Sequence, residues 1–363
     1  MAVSLSAIAW GDPILPEVAD PAWEADVKRR GGQFSQADRR IAPCHWLREA
    51  GFAITNYQPI AMPKRLFAIG AMVTSQENAC RYCYGANRAY MKILGYSETQ
   101  IQRIEHEVHL AELDSQDRAF ILFCRNLARS RPRPSRSAHA GMVEQGFSRA
   151  AVDEMAFVIS MGCFYNRVTT FIACPPERDF ERMANGPMGR VIGLVAPVGR
   201  MLMLLRKTRP EPPLDEQALA RVRFGPVLRP LSGLPAARVM RDTLEGAFAP
   251  GVLAGNTKAL VFAIIARTLD CRLCEAEAHQ LLRDTGMDQS DIDIALSTLY
   301  TDRIPAAEVH LLNWARGTVH YDTADVQATT RQLGLLIGDA ALLEAIGVAA
   351  LANAVVRLAM LHE

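Results

Sequence analysis

The chain has 363 residues, half of them hydrophobic, and a formal net charge of +1. That length suits about two domains on a ~150-residue prior. The near-neutral balance, with no basic stripe carrying interleaved aromatics, gives no electrostatic case for nucleic acid.

Met1 to Ile8 is apolar, but no basic residue precedes it and Trp10, Gly11 and Asp12 cut it short, so it does not read as a secretory signal. Residues 1–44 read as an N-terminal arm. Cys44-His45-Trp46 leads into the first helical stretch, and neighbours on a helix point ~100° apart, so Cys44 and His45 do not form a dyad. The apolar run Leu66 to Val73 precedes Cys80-Arg-Tyr-Cys83. The helix expected from there closes at Gly95, Ser97 is an N-cap candidate, and Gln100 completes a capping box. His106 and His109 stand among acids and read as a solvated face rather than a metal pair.

Asp114 to Ala128 and Ala150 to Thr170 carry apolar residues at helical spacing, with a loop from Ser130 to Gly141 between them. Asn185 to Gly189 and Thr208 to Pro213 are breaks. Val191 to Leu205 is apolar but contains Pro197 and Arg200 and is too short to span a bilayer. Residues 186–235 therefore read as a linker. A second apolar run, Ala259 to Ala266, precedes Cys271-Arg-Leu-Cys274, a helix closing at Gly286 and an N-cap candidate at Asp288. Ala340 to Leu361 is the last helical stretch. With no alternating strand and no Asn-Gly hairpin, the expectation is an all-α, soluble, cytoplasmic protein without a membrane span.

The two Cys-x-x-Cys pairs are offset by 191 residues, as are Gly95 and Gly286, while Glu154 and Arg167 match Glu344 and Arg357 at an offset of 190. A period of a whole domain reads as a tandem duplication, with modules at 45–185 and 236–363.

The cysteine pairs carry the chemistry. Asn78 and Asp270 read as N-caps, which would put the sulfurs in a first helical turn, where free N–H groups and the helix dipole favour a thiolate. Such a thiolate attacks a peroxide oxygen or a disulfide sulfur, and its partner closes the disulfide. The alternatives are inert core cysteines, or a four-cysteine zinc site for which two distant pairs must converge. A disulfide framework is not expected in a chain this long, and Cys124, Cys163 and Cys174 read as small buried hydrophobes. Arg167 and Arg357 lie in apolar helices. Glu154 and Glu344 are their partners by position, in an ion pair that fixes helix packing, with Asn166 in the same network; the alternative is a clamp for a substrate carboxylate.

The pattern of an apolar helix, Cys80-Arg81-Tyr82-Cys83, a helix ending in glycine and a later Asn166-Arg167 resembles the alkylhydroperoxidase D and carboxymuconolactone decarboxylase superfamily. The resemblance implies two tandem alkylhydroperoxidase D-like helical modules forming a pseudo-dimer, in a homo-oligomeric protein. It implies attack on an organic hydroperoxide or a disulfide by Cys83, resolved by Cys80, with Cys274 and Cys271 in the second copy. The electron donor it implies is a dithiol of lipoyl or thioredoxin type, with no cofactor and no metal. The family's relay places a His four residues after the second Cys and a Glu twelve before the first. Here those positions hold Asn87 and Ala278, and Ala68 and Ala259. Glu77, Tyr82 and Asn87 are the candidate substitutes in the first copy. The decarboxylase side of the family implies a different site, with Asn166, Arg167 and Arg357 binding a small carboxylate or lactone without cysteine chemistry. A non-catalytic helical assembly module is the third reading.

Overall fold

A computed structural model describes residues 4–8, 10–106, 113–180 and 211–363. Among them every regular element is helical and no strand occurs. The arm carries α1 (Pro21–Arg29) and α2 (Gln36–Ile41). A first series follows: α3 (His45–Thr55), α4 (Lys64–Glu77), α5 (Arg81–Ile93), α6 (Glu98–His106), α7 (Ser115–Arg129), α8 (Arg136–Glu144) and α9 (Arg149–Phe171). After the short α10 (Glu216–Leu219) and α11 (Gly225–Leu228) comes a second series. It comprises α12 (Pro235–Phe248), α13 (Gly255–Thr268), α14 (Arg272–Asp284), α15 (Gln289–Thr298), α16 (His310–Gly317), α17 (Thr323–Ile337) and α18 (Asp339–Met360). The apolar segment 191–205 and His109 lie outside the described residues.

Local chemistry explains the boundaries. Ser97 and Gln100 exchange side-chain to backbone hydrogen bonds in the expected capping box, and Asp288 caps α15 by accepting from the Asp291 N–H at 2.8 Å. Gly95 and Gly286 close α5 and α14 at φ +93° and +88°, the left-handed region that a Cβ disfavours. The segment Ser130 to Gly141 is a loop only to Ser135, because Ser135 starts α8.

The two series pack through counterparts. α9 lies along α18, and α3 lies against α12. Trp46 of α3 sits against Gly246 and Gly347, where an added Cβ would come within 2.7 Å of it, so Gly246 makes room for its Cβ and Gly347 for its indole ring. α18 is the one described helix long and apolar enough to cross a membrane, and its apolar window is entirely buried inside the fold. The periodicity of Ala340 to Leu361 is not that of a one-sided helix, since nearly every residue of α18 is enclosed.

Glu154 and Glu344 tie down corresponding loops. The Glu154 carboxylate accepts from the Tyr57 hydroxyl (2.7 Å) and from the N–H groups of Ile60, Ala61 and Met62 (2.6 to 3.1 Å), holding the turn into α4. Glu344 accepts from the Leu253 N–H at 2.7 Å and pairs with Lys258 at 2.5 Å, holding the turn into α13.

Candidate active site

Each cysteine pair is set by a tight turn between two helices. α4 runs on to Glu77, and Asn78 is its C-cap, with its side-chain amide donating back to the Thr74 carbonyl at 2.8 Å. Asn78 therefore does not cap α5, nor does Asp270 cap α14. The N-caps are Cys80 and Cys271 themselves. The chain reverses through Ala79 (φ 45°) and Asp270 (φ 55°), and the N–H groups of Cys80 and Cys271 return to the carbonyls of Ser75 and Ala266, both at 3.0 Å. Each capping sulfur accepts the N–H of its partner cysteine, at 3.3 Å from Cys83 and 3.4 Å from Cys274. A sulfur thus fills the place where Ser or Asp ordinarily satisfies a free helix N–H.

In the first pair both sulfurs meet one hydroxyl. Thr169 Oγ1 on α9 lies 3.1 Å from Cys80 Sγ and 3.3 Å from Cys83 Sγ. Both cysteines are buried and unbonded. Burial alone pushes the Cys80 thiol up, but its side-chain hydrogen bonds with Cys83 and Thr169 outweigh it and bring Cys80 down to about 7. Cys83 moves well above the ordinary thiol range, first through burial and then through the Cys80 sulfur beside it. Cys80, whose sulfur also accepts the Cys83 N–H, is the sulfur better placed to carry a negative charge.

Thr169 escaped the sequence reading, and its only signal there is its place two residues after Arg167 on α9. The second series holds Ala359 at the corresponding position, and Cys271 Sγ instead lies 3.3 Å from Glu363 Oε1. Burial, then the Cys271 sulfur, push Cys274 well up.

The candidate relay residues are placed elsewhere. Glu77 pairs with Arg125 and Arg129 on α7 and is no neighbour of the sulfurs. The Tyr82 hydroxyl turns to Ser35 in the arm, and burial raises it well above the usual phenol range. Asn87 donates to the Ala71 carbonyl (3.2 Å) and Ser75 Oγ (2.9 Å), and Ser75 reaches Asn166 Oδ1 at 3.2 Å. Asn87, Ser75 and Asn166 thus join α5, α4 and α9 under the pair without bonding either sulfur.

Neither arginine pairs with a glutamate, and Asn166 does not join them. Arg167 donates to Asn78 Oδ1 at 2.7 Å and to the carbonyls of Thr318 (3.3 Å), Val319 (3.2 Å) and Cys163 (3.4 Å). Arg357 donates to the carbonyls of Ala128 (3.2 Å), Asn353 (2.8 Å) and Val319 (3.4 Å) and to Asn353 Oδ1 (2.8 Å). Both guanidiniums are buried where α7 and α16 end, and helix C-termini carry partial negative charge. Burial, then the Arg167 charge, push Arg357 down to about 9. Arg167 reaches into the second series and Arg357 into the first, with their Nε bonds offset by 190 residues at both ends.

Each series also holds the other's cysteine turn. Thr323 donates to the Ala79 carbonyl at 3.3 Å and Tyr321 to the Asn78 carbonyl at 2.7 Å, while Arg133 donates through Nη2 to the Asp270 carbonyl at 2.8 Å. The arm covers the start of α5: Arg81 donates to the Leu5 carbonyl and lies over the Trp10 ring. Two cavities, of about 410 and 390 Å³, lie beside α6 and between α16 and α17, and neither is lined by a cysteine. Among the described residues no three His, Cys, Asp or Glu side chains form a metal set.

No protein-family model matches the chain, and no curated protein or solved structure matches it.

Proposed function

We propose that the protein is a dithiol oxidoreductase that reduces an organic hydroperoxide or a disulfide at Cys80–Cys83, in a pair of alkylhydroperoxidase D-like modules arranged as a pseudo-dimer. The observation that carries this reading is the free cysteine pair at a helix N-terminus, with one hydroxyl shared between its sulfurs and the cap sulfur accepting its partner's N–H. The pseudo-dimer reading is supported by counterpart helices packing on one another and by the arginine bonds that cross between the series.

The hydrogen bonds favour a sequence of events opposite to that of the resemblance, with Cys80 attacking and Cys83 resolving. The Cys80 thiolate forms a bond to the distal peroxide oxygen as the O–O bond breaks, and the alkoxide leaves as alcohol with a proton from solvent. Cys83 then attacks the sulfenic sulfur, the S–S bond forms, and hydroxide departs as water with the Cys83 proton. An external dithiol returns the pair to the reduced state. Both sulfurs are enclosed, so a reagent reaches them only when the surrounding structure opens. The decarboxylase reading gains nothing from the geometry, because Arg167 and Arg357 spend their donors on interior carbonyls and amides.

The test is the mass of fully reduced protein after one equivalent of cumene hydroperoxide per pair. The expected result is rapid loss of two hydrogens on the peptide carrying Cys80 and Cys83. Thiols unchanged over minutes, with both this oxidant and a small disulfide, would refute the reading.

A further inference from the structure

The second cysteine pair has its own acid–base group. Glu363 Oε1 lies 3.3 Å from Cys271 Sγ and accepts the Leu273 N–H at 2.6 Å, so the carboxylate is fixed against the first turn of α14. Its other oxygen pairs with Arg133, whose Nε and Nη2 donate to the Asp270 carbonyl at 3.1 and 2.8 Å. One arginine from the first series therefore orients the carboxylate and braces the cysteine turn together. The Glu363 side chain is 17% exposed whereas Cys271 and Cys274 are fully enclosed, so the carboxylate links a buried sulfur to solvent. Nothing in the first pair corresponds to this, since there a neutral hydroxyl faces the sulfurs.

We infer that Glu363 is a catalytic residue of a second peroxide-reducing site, taking the Cys271 proton and delivering it to the departing alkoxide. This deepens the function proposed above and rests on it. A carboxylate beside sulfur does not favour a standing thiolate, because two like charges oppose each other. It serves instead as a proton carrier during attack. Cys271 Sγ bonds to the distal peroxide oxygen while its proton passes to Glu363, and the O–O bond breaks. The alkoxide takes that proton and leaves as alcohol. Cys271 is oxidised to the sulfenic acid as the hydroperoxide is reduced. Cys274 then attacks the sulfenic sulfur, forming the disulfide and releasing water, and an external dithiol reduces it again. On this view the substitution of Thr169 by Ala359 marks a change of proton chemistry rather than loss of a site.

The full-length Glu363→Gln variant separates the possibilities, because glutamine keeps an acceptor for the Leu273 N–H but cannot take up and pass on a proton. Two rates are read on the peptide carrying Cys271 and Cys274: oxidation by cumene hydroperoxide and alkylation by iodoacetamide, whose halide leaves without a proton. The expected result is oxidation slowed by about tenfold or more, alkylation slowed by less because it needs the proton taken but not delivered to a leaving group, and the Cys80–Cys83 peptide unaffected. Oxidation that is unchanged, or that falls in step with alkylation, overturns the assignment and leaves the first site standing. If wild-type protein oxidises at neither pair, the functional reading and this inference fall together.

Discussion

Replacing Arg167 by alanine is expected to lower the stability of the whole protein by about 3–5 kcal/mol. The side chain is 2% exposed, and its loss leaves Asn78 Oδ1 and the Thr318 carbonyl without their guanidinium donor, and the Val319 carbonyl with Arg357 alone, beside a new cavity. Each buried acceptor left unpaired costs about 1–3 kcal/mol, and water entering the cavity recovers part of that. Lysine at this position cannot reach both ends of the fork and should recover less than half of the loss. The urea midpoint at constant slope measures it. A change below about 1 kcal/mol would mean that these carbonyls find other donors. Arg357 meets Arg167 at the Val319 carbonyl, so the two substitutions should not be additive.

Cys80→Ser should reduce hydroperoxide consumption at the first pair by on the order of a thousandfold or more, because a serine hydroxyl beside Thr169 does not ionise near neutrality. Cys83→Ser should behave differently. Attack still occurs at Cys80, but the sulfenic acid has no resolving thiol, so the protein gains the mass of one oxygen and stops. If attack belongs to Cys83 instead, the two variants exchange behaviour. The contrast therefore reads the order of events directly, even if both variants are inactive in steady turnover.

Much of the helical framework was legible from residues alone. Gly95, Gly286, the Ser97–Gln100 box and Asp288 all mark real helix ends, since each signal is local. The cysteine turns were misread for an equally local reason. Ala79 and Asp270 take left-handed backbone angles without being glycine, so nothing in the sequence marks the reversal, and Asn78 and Asp270 look like caps. Glu154 and Arg167 look like partners because they recur together. However, thirteen residues along one straight helix span about 20 Å, which rules out that pairing. Each instead serves a different neighbour, a loop for Glu154 and two helix ends for Arg167. Thr169 and Glu363 were missed because their relation to the cysteines is purely tertiary, made by α9 and by the residues after α18.

The proposed chemistry turns on Cys80, the cap sulfur that accepts its partner's N–H, attacking ahead of Cys83. Its most direct test is the alkylation rate of each cysteine in the reduced protein as pH is raised, resolved by peptide mass. The account predicts that Cys80 labelling rises through a midpoint at about 7 while Cys83 stays unlabelled until well above the ordinary thiol range. Labelling of Cys83 first, or of both with a shared midpoint near that of a free thiol, would contradict it.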